Sequence, residues 1–311
     1  MVQKQKLPLI FIVGPTASGK SDVAFELAGM IDAHIVSCDS MMVYKEPCVL
    51  TNKPDKSMRA VVEHHMLDLV SVEEEFNAVA FAQEVYRIVD EIYPEKNIIL
   101  CGGTGLYARI MINGIFDDGV QNKEIRQHLE QQYNEHGLEP LRCRLKEMDA
   151  ETYNMIENAN PRRVIRALEV LEATGESLIG KQSGAQGLAD KYPVRMFILD
   201  MDREKLYHRI NTRTEQMFHD GVVEEVRTLC GKNLSATASA MIGLQPIVDH
   251  INGRFTLAET IDIVSRKTRN YAKRQLTWFR REERAEWIDR TEMTAAQVAS
   301  VIYSKITSDG L

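Results

Sequence analysis

No run of apolar residues in the 311-residue sequence approaches the ~20 that a membrane-spanning helix needs. The N-terminal stretch MVQKQKLPLIFIVGP imitates a secretion signal only briefly. Its apolar run ends at Val13, Gly-Pro follows, and no small-residue cleavage site is present. A buried strand in a cytoplasmic protein with no membrane partner is the reading. Cysteine is scarce as well. Cys38, Cys48, Cys101, Cys143 and Cys230 are odd in number and never spaced C-x-x-C, which argues against a disulfide frame or a thiolate zinc site. There is no internal repeat. The net charge of −7 by itself disfavours a nucleic-acid partner.

What is present belongs to an ordinary globular chain, 44% hydrophobic and 27% charged, long enough for one large domain or two smaller ones. The most specific stretch is 10-IFIVGPTASGKSDVAFELAG-29. It reads as a strand, a G-x-x-x-x-G-K-[ST] loop and a helix. Gly14 and Gly19 let Pro15, Thr16, Ala17 and Ser18 wrap an anion, so that backbone N–H groups and a helix N-terminus face it. Lys20 adds a mobile cation, and the Ser21 hydroxyl suits Mg²⁺ bridging two phosphate oxygens. The loop is strong evidence for phosphate and weak evidence for a reaction. A nucleotide triphosphate is its usual occupant, and a kinase or NTPase would add a strand-end carboxylate such as Asp39 or Asp200.

Further apolar runs at 34–39, 97–103 and 195–200 alternate with helical patterns. The expected fold class is α/β: a P-loop NTPase-like parallel sheet flanked by helices, carrying a helical insertion. The catalytic core is expected at 1–116 and 193–311. Residues 117–192 are polar and strand-poor, end in the Gly/Ser/Gln-rich 180–187, and are expected to form the insertion. From 203 onward the chain reads as helical. Basic residues gather at 161-PRRVIR-166 and at 266–284, where eight Lys/Arg oppose two Glu with Tyr271, Trp278 and Phe279 interleaved. His64 and His65 invite a metal reading, but neighbours on a strand point to opposite faces. They are read as structural.

GPTASGKS, 37-SCDSMMVYK-45, 51-TNKP-54, 64-HHMLD-68, 101-CGGTGLY-107, 163-RVIRALEV-170 and 273-KRQLTWFR-280 occur in this order. Together they resemble the tRNA dimethylallyltransferase (tRNA isopentenyltransferase) family from about residue 8 to about 288. The resemblance implies transfer of a dimethylallyl group from dimethylallyl diphosphate to N6 of adenosine 37 in tRNAs reading codons that begin with U. It implies Mg²⁺ as cofactor and the tRNA anticodon stem-loop as partner, with a monomer expected. The loop would then hold the leaving diphosphate, with Arg213 directed at the same group and Arg209 as second choice. Asp39 matches the family's general base, a position that otherwise reads as an Mg²⁺ ligand or a helix cap. Thr104 would hydrogen-bond near the amine, and otherwise marks a tight turn. Residues matching RNA contacts are Asp39, Ser40, Met41, Met42, Thr104, Arg126, Arg162, Arg163, Val164, Ile165, Arg166, Lys273, Arg274 and Gln275. Trp278 reads as core packing in preference to a base-stacking platform.

Two stretches depart from the family pattern. Leu244-Gln245-Pro246 stands where Tyr-Lys is common after Ile-Gly, and Glu46-Pro47-Cys48-Val49-Leu50 replaces Gly-Met-Asp-Ile-Gly. Both put the choice of tRNA in question. A C-terminal zinc finger, frequent in eukaryotic relatives, is not seen, so a bacterial type is expected. The rival readings are an adenylate isopentenyltransferase acting on free AMP, ADP or ATP, a P-loop kinase or NTPase, and an RNA-binding protein that has kept only the fold.

Overall fold

Leu9–Val13 form the first strand, β1, with all five side chains buried, as a strand covered on both faces requires. The computed structural model describes residues 6–93, 95–114, 122–156, 160–177 and 186–308. Residues 117–121 at the expected domain boundary and 180–185 of the Gly/Ser/Gln-rich stretch lie outside these. The other strands are β2 (Ala33–Ser37), β3 (His64–His65), β4 (Asn97–Gly102), β5 (Val194–Asp200) and β6 (Ala285–Asp289). They form one sheet in the order β3-β2-β4-β1-β5-β6, with every pairing parallel. β6 interrupts the helical pattern expected after residue 203. AEWID is half polar, and its pairing with β5 makes it a strand.

The helices of the larger unit are α1 (Lys20–Ile31), α2 (Lys56–Val61), α3 (Ala78–Ile92) and α4 (Gly105–Asn113). In the other unit lie α5 (Lys123–His136), α6 (Glu139–Met148), α7 (Ala150–Met155) and α8 (Pro161–Thr174). The chain then returns through α9 (Leu188–Lys191), α10 (Arg203–His219), α11 (Val222–Leu229), α12 (Leu244–Ile251), α13 (Leu257–Phe279) and α14 (Ala295–Ser308). Strand alternation sorts the core into two layers. Ile10, Ile12, Ile99, Phe197 and Leu199 pack under α1 and α14. Leu9, Phe11, Val13, Leu100 and Ile198 pack on the opposite face with residues of α3, α4, α11, α12 and α13. Among the described residues, no helix is long and apolar enough to cross a membrane.

The chain divides into two compact units, Met1–Ile112 with Leu188–Leu311, and Asn113–Gly187. The second has its own core of Leu129, Leu141, Leu145, Val164, Ile165, Ala167 and Leu168. Three of its described helices, α5, α7 and α8, start on side-chain caps. Asn122 accepts from the N–H groups of Glu124 and Ile125, and Asn160 accepts from that of Arg162, with Pro161 in the first turn.

Candidate active site

In a parallel sheet the strands end on the same side, and here β1, β4 and β2 bring three motif-bearing loops to adjacent C-terminal ends. The loop after β1 turns at Gly14, whose φ of +144° suits glycine, and a Cβ there would lie 2.4 Å from the Leu199 carbonyl oxygen. It then runs into α1, whose first N–H groups have no intrahelical acceptor. The Lys20 ammonium donates to the Pro15 carbonyl at 2.6 Å. Burial holds Lys20 down at about 8; Arg213 adds to this, while Cys101 and Asp39 oppose it. The Ser18 side chain is buried and its hydroxyl has no hydrogen-bond partner among the described residues. An unpaired buried polar atom in a phosphate loop points to an absent ligand. Ser21 is exposed on the first turn of α1.

Cations from later in the chain close on this loop. Arg213 of α10 donates to the Thr16 hydroxyl at 2.6 Å, and Arg209, one turn earlier, donates to the Ala17 carbonyl at 2.9 Å. Arg290, after β6, donates to the Ser18 carbonyl at 2.7 Å. Arg290 is a site residue that the sequence reading lacked, because only β6 carries it to the loop. Arg209 and Arg290 also line a cleft of about 520 Å³ with Lys205, His208 and Met201.

Asp39 follows β2. Its Oδ1 accepts the Met41 N–H at 2.8 Å and holds a turn over residues 40–43; no helix begins there, so the bond is an Asx turn and not a helix cap. Burial raises its pKa, opposed by that N–H, Lys20, the Met42 N–H and Arg213. Thr104 follows β4, and its hydroxyl accepts the Ser40 N–H at 3.3 Å. The two turns approach this closely because Gly102 has no side chain: a Cβ there would sit 2.3 Å from the Cys38 carbonyl oxygen. Tyr271 of α13 belongs to the same group. Burial pushes its phenol up to about 12, with Asp39 adding and Thr104 and Gln275 opposing. Its only signal in the sequence was an aromatic within a basic helix.

The other expected residues fall into two sets. Arg126, Arg162, Arg163, Lys273 and Arg274 are exposed. In the helical unit the buried Glu169 carboxylate holds Arg166 at 3.0 Å and Arg126 at 3.7 Å. Val164 and Ile165, expected among the RNA contacts, face the core of that unit, because helical periodicity turns them inward from Arg162 and Arg163. Trp278 packs on the core beside Phe279, and a Cβ on Gly105 would lie 2.3 Å from its ring. Met41 and Met42 are half-buried beside Asp39.

Other quoted motifs meet each other. Lys53 of TNKP donates to Asp68 of HHMLD at 2.6 Å, and Arg59 takes the other carboxylate oxygen at 2.6 Å. The departing stretch at 46–50 is also tied down. Glu225 accepts the N–H groups of Cys48, Val49 and Leu50 at 2.7, 2.8 and 2.8 Å. Glu46 is buried enough to be raised, yet bonds from Ser71, Lys232 and the Val72 N–H bring it to about 2.

Gln275 was expected to offer its amide to RNA, and its placement is different. It is 5% exposed, its Oε1 accepts the Thr16 N–H at 2.8 Å, and its Nε2 donates to the Gly103 carbonyl at 2.8 Å. It is a strut between the phosphate loop and the turn that carries Thr104. Replacing it with Leu keeps the bulk and strands both backbone groups, at about 1–3 kcal/mol for each. Gln275→Leu should therefore lower the denaturation midpoint clearly in urea titrations; an unchanged midpoint would remove the strut from the account.

Comparison with known proteins fits this geometry. The IPP transferase family model matches residues 42–282. A tRNA dimethylallyltransferase of Acetivibrio thermocellus is 38% identical over 288 residues, 91% of this chain and 92% of that one. One from Geobacter metallireducens is 38% identical over 292 residues, 93% and 94% of the two chains. The crystal structure of the tRNA isopentenylpyrophosphate transferase from Bacillus halodurans superposes with a TM-score of 0.70 at 31% identity, covering 97% of this chain and 98% of that one. With phosphate loop, strand-end carboxylate and threonine turn assembled as described, the chain belongs to the IPP transferase family, that of the tRNA dimethylallyltransferases.

Proposed function

We propose that the protein transfers the dimethylallyl group of dimethylallyl diphosphate to N6 of adenosine 37 in tRNAs reading codons that begin with U, giving N6-(dimethylallyl)adenosine and diphosphate. The observation that carries this reading is the convergence of a phosphate loop with Asp39 and Thr104 at the ends of neighbouring strands. A kinase needs the loop to deliver a phosphoryl group; here the same anion grip stabilises a departing group. The allylic C–O bond breaks with its electron pair going to the diphosphate, and the N6 lone pair forms the new C–N bond. The N6 proton passes to Asp39, whose raised pKa brings a carboxylate closer to the working pH of a general base.

The α1 N-terminus, Lys20, Ser18, Thr16 and Arg213 hold the diphosphate in this account. The donor set also fits Mg²⁺: Ser21 offers a hard oxygen beside the loop, and bound there the ion would neutralise leaving-group charge. Thr104 orients the amine. The adenine must leave its stack to reach Asp39. Arg162 and Arg163 of the helical unit, and Lys273 and Arg274 of α13, are the exposed cations that would contact the anticodon arm. Gln275 instead keeps the loop and the Thr104 turn in register. A tRNA substrate supports the expected cytoplasmic location.

Asp39→Asn should lower turnover by roughly 10²–10⁴-fold while anticodon stem-loop affinity stays within a few fold. Full activity in that variant would end the base assignment. A bare stem-loop containing A36-A37-A38 should outcompete AMP by orders of magnitude, read by mass spectrometry of the products. Equal turnover of AMP would overturn the RNA acceptor, and release of γ-phosphate from ATP would favour a kinase.

Lys20 gives a pH signature. Its ammonium is present below about 8 and lost above it, so donor affinity should fall as pH rises through that value. Calorimetry in buffers of different ionisation enthalpy should show proton uptake on diphosphate binding. Affinity that is flat from pH 7 to 9.5 would mean Lys20 does not contact the diphosphate.

A further inference from the structure

A second group of ligating side chains lies at the sheet edge, apart from the proposed reaction. His34 is on β2 and His65 on β3. The parallel register pairs Ile35 with His64 and Val36 with His65, so His34 and His65 fall on one face as diagonal neighbours. His34 Nδ1 and His65 Nε2 are 3.0 Å apart. Glu63, immediately before β3, places one carboxylate oxygen 3.7 Å from His34 Nε2 and the other 3.9 Å from His65 Nε2. One ligand atom from each residue can be chosen so that all lie within 4.8 Å of one another. The imidazoles are 19% and 18% exposed, and Glu63 is 64% exposed.

We propose that His34, Glu63 and His65 form a binding site for a divalent late transition metal, Zn²⁺ foremost, with solvent completing the coordination. Two nitrogens at zinc-ligand distance in a tetrahedral site stand about 3.3 Å apart, close to the separation seen here. Without a cation, two imidazole nitrogens this close must share one proton between two lone pairs; a divalent ion engages both. Two neutral imidazoles and one carboxylate offset one of its charges. Mg²⁺ prefers an all-oxygen octahedron, whereas imidazole suits zinc, copper and nickel.

Arg87 of α3 is the cation facing the group, and it is occupied by ion pairs to Glu84 and Glu91. His64 is committed elsewhere, with Nδ1 2.7 Å from the Val62 carbonyl. The adjacent histidines therefore do not share an ion; the partner of His65 comes from the next strand. A bound cation would tie the two-residue β3 to β2 at the sheet edge, and a ligand of the folded state alone stabilises it.

The test uses chelator-treated full-length protein titrated calorimetrically with ZnCl₂, with MgCl₂ as competitor. One equivalent of Zn²⁺ should bind, resist excess Mg²⁺ and raise the thermal midpoint. His34→Ala, Glu63→Gln and His65→Ala should each weaken binding at least about tenfold, and His64→Ala should leave it unchanged. Should an alanine variant not fold, Cu²⁺ electron paramagnetic resonance of the unaltered protein decides, with hyperfine coupling to two nitrogens expected. No stoichiometric binding, displacement by Mg²⁺, or no coupling to nitrogen would overturn the site. So would zinc retained with unchanged affinity by folded His34 and His65 variants.

Discussion

The site rests on one steric constraint: the backbone turns after β1, β2 and β4 must approach closer than side chains allow. Gly102 lies against the Cys38 carbonyl with no room for a Cβ, and a Cβ on Gly103 would lie 3.3 Å from the Gly14 carbonyl oxygen and 2.2 Å from Gln275 Nε2. These contacts set the spacing between the phosphate loop, Asp39 and Thr104. Gln275 then holds it, with one amide bonded to both the loop and the glycine turn. A reaction that joins two substrates depends on such spacing, because misplacement by about 1 Å can cost 10²-fold in rate.

Charge follows the same plan. The loop gathers Lys20, Arg209, Arg213 and Arg290 from widely separated parts of the chain. Without an anion these cations crowd one another, and both Lys20 and Arg213 have lowered pKa values, chiefly through burial. In the proposed reaction a bound diphosphate would relieve that cost, so part of its binding energy would be prepared by the fold. Asp39 sits at the edge of this field, its burial opposed by Lys20 and Arg213. In the proposed reaction one positive cluster would thereby serve the leaving group and moderate the base.

The departures from the family pattern turn out to be structurally anchored. Glu46 and the 48–50 backbone are held by Ser71, Lys232 and Glu225, and Leu244 is buried in the core. Gln245 is exposed and bonded to Asp249. The changes are built into the packing, and Gln245 is the altered side chain of its segment that faces solvent.

Much was legible in the residues alone, because the signals are local. The loop, its flanking strand and helix, the strand-end Asp39 and the parallel class depend on short-range periodicity and on glycine geometry. The exposed basic residues of 161–166 and 273–274 were readable as well. What only the tertiary structure decided involves partners far apart in sequence: β6 as a strand, Arg290 at the loop, Tyr271 beside Asp39, Gln275 as a strut and His34 beside His65. Val164 and Ile165 turn inward for a related reason, since a motif names residues and packing chooses which side chain meets solvent. Hydrogen bonds and pairings between residues 31 to 272 positions apart are not encoded in any single window of sequence, and that is where these assignments were made.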